Sequence, residues 1–182
     1  MSFSLQPILQ NEQVRLEPLK VSDFEVLYAV ASDPLIWEQH PVPTRYQETV
    51  FRNYFNGAIE SGGAFLILDQ STNEVIGSSR YYDYDPEKNS ILIGYTFIAR
   101  KYWGTGVNFQ IKKLMLDHAF GFVNEVIFHI GTNNKRSRIA MERLGGKLIG
   151  SLDTAYYGES SNENCIYSIV KTDWYHRNPS TV

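Results

Sequence analysis

The stretch Ile91–Asn108, ILIGYTFIARKYWGTGVN, decides how this chain is read. It runs from an apolar strand through a short aromatic and basic turn to two glycines that open a helix. A strand that delivers its end onto a glycine-rich helix start leaves backbone N–H groups unpaired at the tip. The helix dipole there favours an anion. Gly104 and Gly106 would let the backbone approach a phosphate with no Cβ in the way. Taken by themselves, the same glycines serve equally well as a tight turn.

Working outward, Val14–Leu19 (VRLEPL) alternates apolar and polar residues and reads as a first strand. Ser22 and Asp23 offer an N-cap, and Phe24, Leu27, Tyr28 and Ala31 fall on one helical face. Ser32–Pro43 is a proline-rich loop. Thr44 is placed to cap a second helix with Val50, Tyr54, Ala58 and Ile59 as its apolar stripe, ended by Gly62–Gly63. Ala64–Asp69 and Val75–Tyr82 form an expected antiparallel hairpin around Ser71–Asn73, and Ser90–Ile98 is the next strand. The spacing predicts a helix from about Thr105 to Phe120 that buries Val107, Ile111, Leu114, Met115 and His118. Glu125–Gly131 is a strand, and Asn134–Leu144 a helix closed by Gly145–Gly146. Lys147–Leu152 and Asn164–Lys171 are two last strands, joined by the polar loop Asp153–Glu163.

The expected order is therefore β-α-α-β-β-β-α-β-α-β-β. That is an α/β chain of the α+β type, with a central, mostly antiparallel sheet and one locally parallel strand pair. Its 182 residues suit a single domain spanning 1–182, with loosely ordered ends at 1–13 and 175–182. Apolar residues at 43% and charged residues at 20% supply a core and argue against wholesale disorder. The net charge of -3 speaks against nucleic acid as the main partner, which usually shows as a basic surplus. The single cysteine, Cys165, cannot form an internal disulfide, so a cytoplasmic protein is expected. Lying in an apolar strand, it reads as a buried, inert thiol. No stretch approaches the roughly 18 apolar residues of a membrane span, and the four histidines lack metal-ligand spacing.

Three pieces of the chain, in order and at the expected spacing, resemble the GNAT superfamily of acyl-CoA N-acyltransferases. They are IGYTFIARKYWGTG, then NKRSRIAMERLGGK (Asn134 to Lys147), then the ending YSIVKTDW. They resemble most the branch of ribosomal-protein N-terminal acetyltransferases, and the similarity runs from Val14 to about Trp174. The family motif Q/R-x-x-G-x-G/A falls on Lys101-Tyr102-Trp103-Gly104-Thr105-Gly106, with Lys101 where Gln or Arg is usual. Asn108 stands where a small residue is common.

The resemblance implies a GNAT-like fold with a splayed parallel strand pair, acetyl-CoA as acyl donor and no metal. It implies backbone contacts from Phe97 and Ile98 to the pantetheine arm. It also implies a diphosphate on the N–H groups of Trp103, Gly104, Thr105, Gly106, Val107 and Asn108, with Lys101 counted among the cofactor-binding residues for its charge at the Q/R position. Asn134 would hydrogen-bond the pantetheine amides, Ser137 would donate to the departing thiolate, and Arg138 would meet a CoA phosphate. Asn134 as helix N-cap is an equally good reading of its position. The general base stays unassigned among Glu38, His40 and His129. Trp37, Tyr81, Tyr95, Tyr156 and Glu159 are acceptor-side candidates, where aromatics beside carboxylates suit a cationic amine. The implied partner is an amine-bearing small molecule or a protein N-terminus, taken up by a monomer or homodimer. A non-catalytic acyl-CoA-binding module keeps the same fold and is the rival reading. A different nucleotide-binding α/β protein is a weaker third, because no Walker lysine follows the glycines and Phe109 stands at the third position of a G-x-G-x-x-G.

Overall fold

The computed structural model describes residues 3–155 and 161–179. Its strands are β1 (Leu9–Gln10), β2 (Val14–Pro18), β3 (Ala64–Asp69), β4 (Val75–Asp85), β5 (Ser90–Ile98), β6 (Glu125–Gly131), β7 (Lys147–Thr154) and β8 (Asn162–Val170). Its helices are α1 (Phe24–Ala31), α2 (Glu48–Glu60), α3 (Val107–Ala119), α4 (Lys135–Leu144) and α5 (Lys171–Arg177). The strands form one mixed sheet in the order β1-β2-β3-β4-β5-β6-β8-β7. Every neighbouring pair is antiparallel except β5 and β6, which are joined through α3 and run parallel.

Helices cover both faces. On one face α1 and α2 bury Phe24, Leu27, Phe51, Tyr54 and Phe55 with Leu66, Leu68 and Phe97 of the sheet. On the other, α3 and α4 bury Ile111, Met115, Leu116, Met141 and Leu144 against Ile67, Tyr81, Ile93 and Tyr167, and Trp174 of α5 closes the layer. The Trp174 indole N–H donates to Asp117 at 2.7 Å.

Several elements depart from the sequence expectation. The second helix starts at Glu48 with Gln47 as its N-cap residue, so Thr44 caps nothing. Its buried stripe is Phe51, Tyr54, Phe55 and Ala58, with Val50 and Ile59 only half-buried. Pro41 and Pro43 hold the chain irregular until that point. The third helix buries Lys112, Leu116 and Ala119 in place of Leu114 and His118. His118 lies at the edge of this layer, its Nε2 2.9 Å from the Ser4 carbonyl oxygen and its ring against Phe3 and Phe122. The N-terminal end is thus partly tied down by Phe3 and by β1. The last strand ends at Val170, and α5 carries the chain to Arg177.

No helix among the described residues is long and apolar enough to cross a membrane. Nor do these residues contain a cluster of three or more His, Cys, Asp or Glu that could hold a metal.

Gly77 sets how closely β4 meets the end of β5. A Cβ there would lie 2.0 Å from the Phe97 carbonyl oxygen and 3.0 Å from the Ile98 Cα, both backbone atoms that cannot step aside. Gly77→Ala is expected to cost about 1–3 kcal/mol, as overpacking does, and to lower Tm by about 2–4 °C per kcal/mol in thermal unfolding. Gly150→Ala on β7, where nothing lies within 4 Å, is expected to leave Tm within about 1 °C.

Candidate functional site

β5 and β6 pair only over Ser90–Leu92 with Glu125–Ile127, yet β5 continues to Ile98 and β6 to Gly131. Beyond Leu92 the two strands diverge, and backbone groups of β5 on that side have no strand partner. A bulge accompanies the divergence. Ser78 pairs with Phe97 but Arg80 with Gly94, so β5 carries an extra residue there. Tyr95 takes it up in the left-handed region at φ 54, a conformation that costs a bulky L-residue roughly 1–2 kcal/mol. Its carbonyl accepts a 2.7 Å hydrogen bond from the Tyr54 hydroxyl, and the Tyr54 and Tyr95 rings sit 6.1 Å apart.

The divergence opens a cavity of about 730 Å³ that continues to the start of α3 and along α4. Gly104 and Gly106 both have positive φ, at 75° and 88°, with open space where a Cβ would stand. The N–H groups of Trp103 and Thr105 fold back onto the carbonyls of Arg100 and Tyr102, and that of Val107 reaches Thr105 Oγ1 at 3.5 Å. The N–H groups of Gly104, Gly106, Asn108 and Phe109 have no hydrogen-bond partner among the described residues. They lie at the positive end of a thirteen-residue helix and border the cavity.

The structure divides the expected binding residues between the two sides of the turn. Phe97, Ile98, Trp103, Gly104, Gly106, Asn108, Asn134 and Ser137 all line the cavity. Lys101, Thr105 and Val107 do not. The Lys101 ammonium pairs with Glu74 at 2.5 Å on the outer side of the turn, the Thr105 hydroxyl donates to the Tyr102 carbonyl at 2.7 Å, and Val107 is buried in the core. The Ile98 carbonyl is already taken by the Trp103 indole N–H at 3.1 Å.

On α4, Asn134 is the N-cap, accepting from the Ser137 N–H at 3.1 Å. Its side-chain amide nitrogen makes no hydrogen bond among the described residues, so the cap leaves that donor unused. Arg138 is turned to the other side of the helix, donating to the Tyr167 hydroxyl and the Thr132 carbonyl, each at 3.2 Å. The basic residues that do line the cavity from α4 are Arg136 and Arg143. The Arg136 guanidinium stacks on the Trp103 ring at 3.8 Å and donates to the Ile36 carbonyl.

The base candidates also separate. Glu38 is exposed, 3.9 Å from Arg136 and outside the cavity wall. His40 and His129 both line the cavity. Desolvation first, and then the Arg45 charge, holds the His40 imidazole well below its ordinary value. Its two ring nitrogens face the Val42 N–H and the Arg45 guanidinium, both donors, at 3.1 Å. The neutral ring keeps its one N–H, and a second proton is poorly placed between these two donors. Burial lowers His129 as well, opposed by Asp83.

Trp37 and Tyr95 line the cavity, but Tyr81 does not. Tyr81 is fully buried on the opposite face, its hydroxyl donating to the Met115 carbonyl at 2.5 Å. Strand alternation turns Tyr82 into the cavity instead, with Gly94 leaving room for its ring. Tyr156 and Glu159 lie outside the described residues. No Asp or Glu among the described residues lines the cavity. Asp85 instead accepts from the Glu87 and Lys88 N–H groups of its own turn.

Three buried cations were not expected from the sequence. The Arg45 guanidinium sits against Trp37, Tyr54 and Tyr95, and burial pushes it down to about 10. Arg80 lies 3.8 Å over the Tyr95 ring and donates to the Tyr54 carbonyl at 3.2 Å. Lys112 on α3 donates to Ser79 Oγ at 3.3 Å and Thr96 Oγ1 at 2.5 Å, and burial alone pushes it down to about 7. Its signal in the sequence was positional. Lys112, Met115, Leu116 and Ala119 keep helical spacing, which puts a lysine on a buried face.

The fold has counterparts among known proteins. The structure is similar to a putative acetyltransferase from T. thermophilus, at 26% identity and TM-score 0.75, covering 93% of this chain and 92% of that one. It is similar in fold to the ribosomal L7/L12 alpha-N-protein acetyltransferase RimL in complex with coenzyme A, at 18% identity and TM-score 0.72, covering 92% and 99%. It is also similar in fold to the spermidine N-acetyltransferase from Vibrio cholerae in complex with CoA and spermine, at 16% identity and TM-score 0.68, covering 90% and 99%. No curated protein sequence matches. The family model described as acetyltransferase (GNAT) domain matches residues 13–147, and the chain belongs to that family.

Proposed function

We propose that this protein transfers an acetyl group from acetyl-CoA to a primary amine by direct attack within a ternary complex. The observation that carries the reading is the continuity of the strand gap with the four free N–H groups at the start of α3. A long ligand with an extended amide-bearing arm and a diphosphate needs both, in that order. The residues present fit it. The N–H groups of Gly104, Gly106, Asn108 and Phe109 would hold diphosphate oxygens, each such charge-assisted bond contributing about 1.5–3 kcal/mol. The unpaired side of β5 between Ile93 and Ile98 would pair with the pantetheine arm as an added strand. The Asn134 amide would meet one of its carbonyls.

The acyl-CoA thioester supplies the activated acetyl group, and the rest is work for the protein. A β5 backbone N–H would polarise the thioester oxygen. The Ser137 hydroxyl, too weak an acid to lose its proton, would donate a hydrogen bond to the departing thiolate. Trp37, Tyr82 and Tyr95 would position the acceptor. An α-amine of pKa about 7.7–8 is roughly a tenth neutral at pH 7, whereas a lysine-like amine is neutral about once in a few thousand molecules. The first class is therefore served by a modest base, and the acceptors named for the similar structures, a ribosomal-protein α-amine and spermidine, span both classes. The described wall carries arginines and no carboxylate, so none of the described acids draws a cationic amine into the cavity. We read the protein as cytoplasmic, without nucleic acid or membrane as its target.

Release of free CoA thiol from acetyl-CoA, measured over a panel of α-amines, polyamines and amino acids, is expected to reveal turnover with at least one class. Binding of acetyl-CoA, seen as a rise in Tm, without turnover across the panel would favour the non-catalytic module. Gly104→Val places a branched side chain on a left-handed residue at the cradle. It is expected to raise the apparent KM for acetyl-CoA by about tenfold or more, the loss of one charge-assisted bond, with the KM for the amine little changed in steady-state kinetics.

A further inference from the structure

We propose that Lys112 is the proton acceptor of this cleft, drawing the proton of the attacking amine through the Thr96 hydroxyl. The inference rests on the acetyl-transfer reading and supplies the base that reading lacks. Lys112 works through Thr96, so it is a positioning and proton-holding residue and does not touch the reacting atoms.

The geometry is a three-membered cluster behind the bulge of β5. Lys112 Nζ contacts both Ser79 Oγ and Thr96 Oγ1, and those two hydroxyls are 2.7 Å apart. Thr96 follows the strained Tyr95, and both Thr96 and Lys112 line the cavity while Ser79 does not. Thr96 is therefore the hydroxyl that bridges ligand and amine. On the remaining side Nζ lies 5.9 Å from the centre of the Phe128 ring. Lys112 is 5% exposed and forms no ion pair with any described carboxylate.

The titratable and charged groups on the elements around it are Arg80, Tyr81, Tyr82, Asp83, Tyr84 and Asp85 of β4, Tyr95 of β5, Glu125 and His129 of β6, and Lys135, Arg136, Arg138, Glu142 and Arg143 of α4, with Lys113, Asp117 and His118 on its own helix. None bonds to Lys112. Lys113 and Asp117 pair with each other at 2.6 Å, and the Tyr81 hydroxyl is spent on the Met115 carbonyl. An ammonium with no counter-ion is disfavoured there, so a neutral amine is accessible near pH 7; in that state Nζ still donates to Ser79 and turns its lone pair to accept from the Thr96 hydroxyl. A lysine tuned in this way by burial suits general-base work at neutral pH.

The step balances within the cleft. The amine lone pair forms the C–N bond to the thioester carbonyl carbon, and one N–H proton passes to Thr96 Oγ1 as the Thr96 hydroxyl proton passes to Lys112 Nζ. The C–S bond breaks and sulfur leaves with the electron pair. The proton on Lys112 then returns through the same hydroxyl to that sulfur. The products are the amide and the free thiol, and Lys112 is again neutral.

The test compares wild type, Lys112→Met and Thr96→Val, with Lys113→Met on the exposed face as control. In wild type, kcat/KM is expected to fall below an apparent pKa near 7. In Lys112→Met that limb should vanish and kcat drop by about 10²-fold or more, while acetyl-CoA still raises Tm. Thr96→Val, which keeps the lysine and removes the bridging hydroxyl, should drop kcat by at least tenfold. An independent readout follows Lys112 without turnover. A lysine with a lowered folded-state value binds fewer protons folded than unfolded between that value and its ordinary one, so stability should rise with pH from about 7 to 10. Lys112→Met should lose that rise, and its Tm difference from wild type should shift steadily across this window. Loss of the rise together with an unchanged kcat–pH profile would make Lys112 a structural residue and overturn the proposal. So would Lys112→Met activity within about threefold of wild type. Wild type inactive across the whole amine panel would overturn the acetyl-transfer reading itself, and the base with it.

Discussion

The parallel contact between β5 and β6 lasts for three residue pairs and then fails, and the cleft depends on that failure. Parallel strands joined by a crossover helix ordinarily stay paired along their length. Here an extra residue in β5, absorbed by the left-handed Tyr95, turns the strand off its neighbour. The Tyr54 hydroxyl on the Tyr95 carbonyl holds the bulge from one face. Lys112 on Thr96 and Ser79 holds it from the other. Gly77 lets β4 follow β5 closely past the bulge, so the sheet stays continuous on that side while it opens on the other.

That arrangement explains why so many cations lie inside a chain with net charge -3. Arg45 and Arg80 are held by aromatic faces and by polar contacts beside the bulge, and Lys112 by two hydroxyls. Such contacts only partly replace hydration, and burial accordingly lowers both Arg45 and Lys112. The acids of the chain, meanwhile, neutralise cations on the outside. Asp33 accepts from Arg100, Glu74 from Lys101 and Asp173 from Lys147. The interior of the cleft is left basic and aromatic, ready for a ligand with anionic and carbonyl groups.

Much of this was legible in the sequence, for a physical reason. The apolar run of β5, the glycines at 104 and 106 and the cap at Asn134 are local signals, set by backbone conformation and hydrogen bonding within a few residues. What the sequence left open was phase. Arg136 and Arg138 are two residues apart and sit on different sides of α4, and Tyr81 and Tyr82 are neighbours on opposite faces of β4. Motif spacing names the segment, but only packing decides which of two adjacent side chains enters the cavity. The same holds for Lys101 and Thr105, which sit outside the cavity that Trp103, Gly104 and Gly106 line. Lys112 was missed because a lysine inside a helix is ordinarily solvated, although the residues after it share its buried face.

The central claim is that one continuous channel, from the β5–β6 gap to the start of α3, takes the acyl donor. A crystal structure of the protein with CoA tests it most directly. The account predicts diphosphate oxygens within about 3 Å of the Gly104, Gly106, Asn108 or Phe109 nitrogens, pantetheine alongside Ile93–Ile98 and sulfur near Ser137. CoA bound elsewhere, or β6 closed onto β5 with the nucleotide outside the gap, would contradict it.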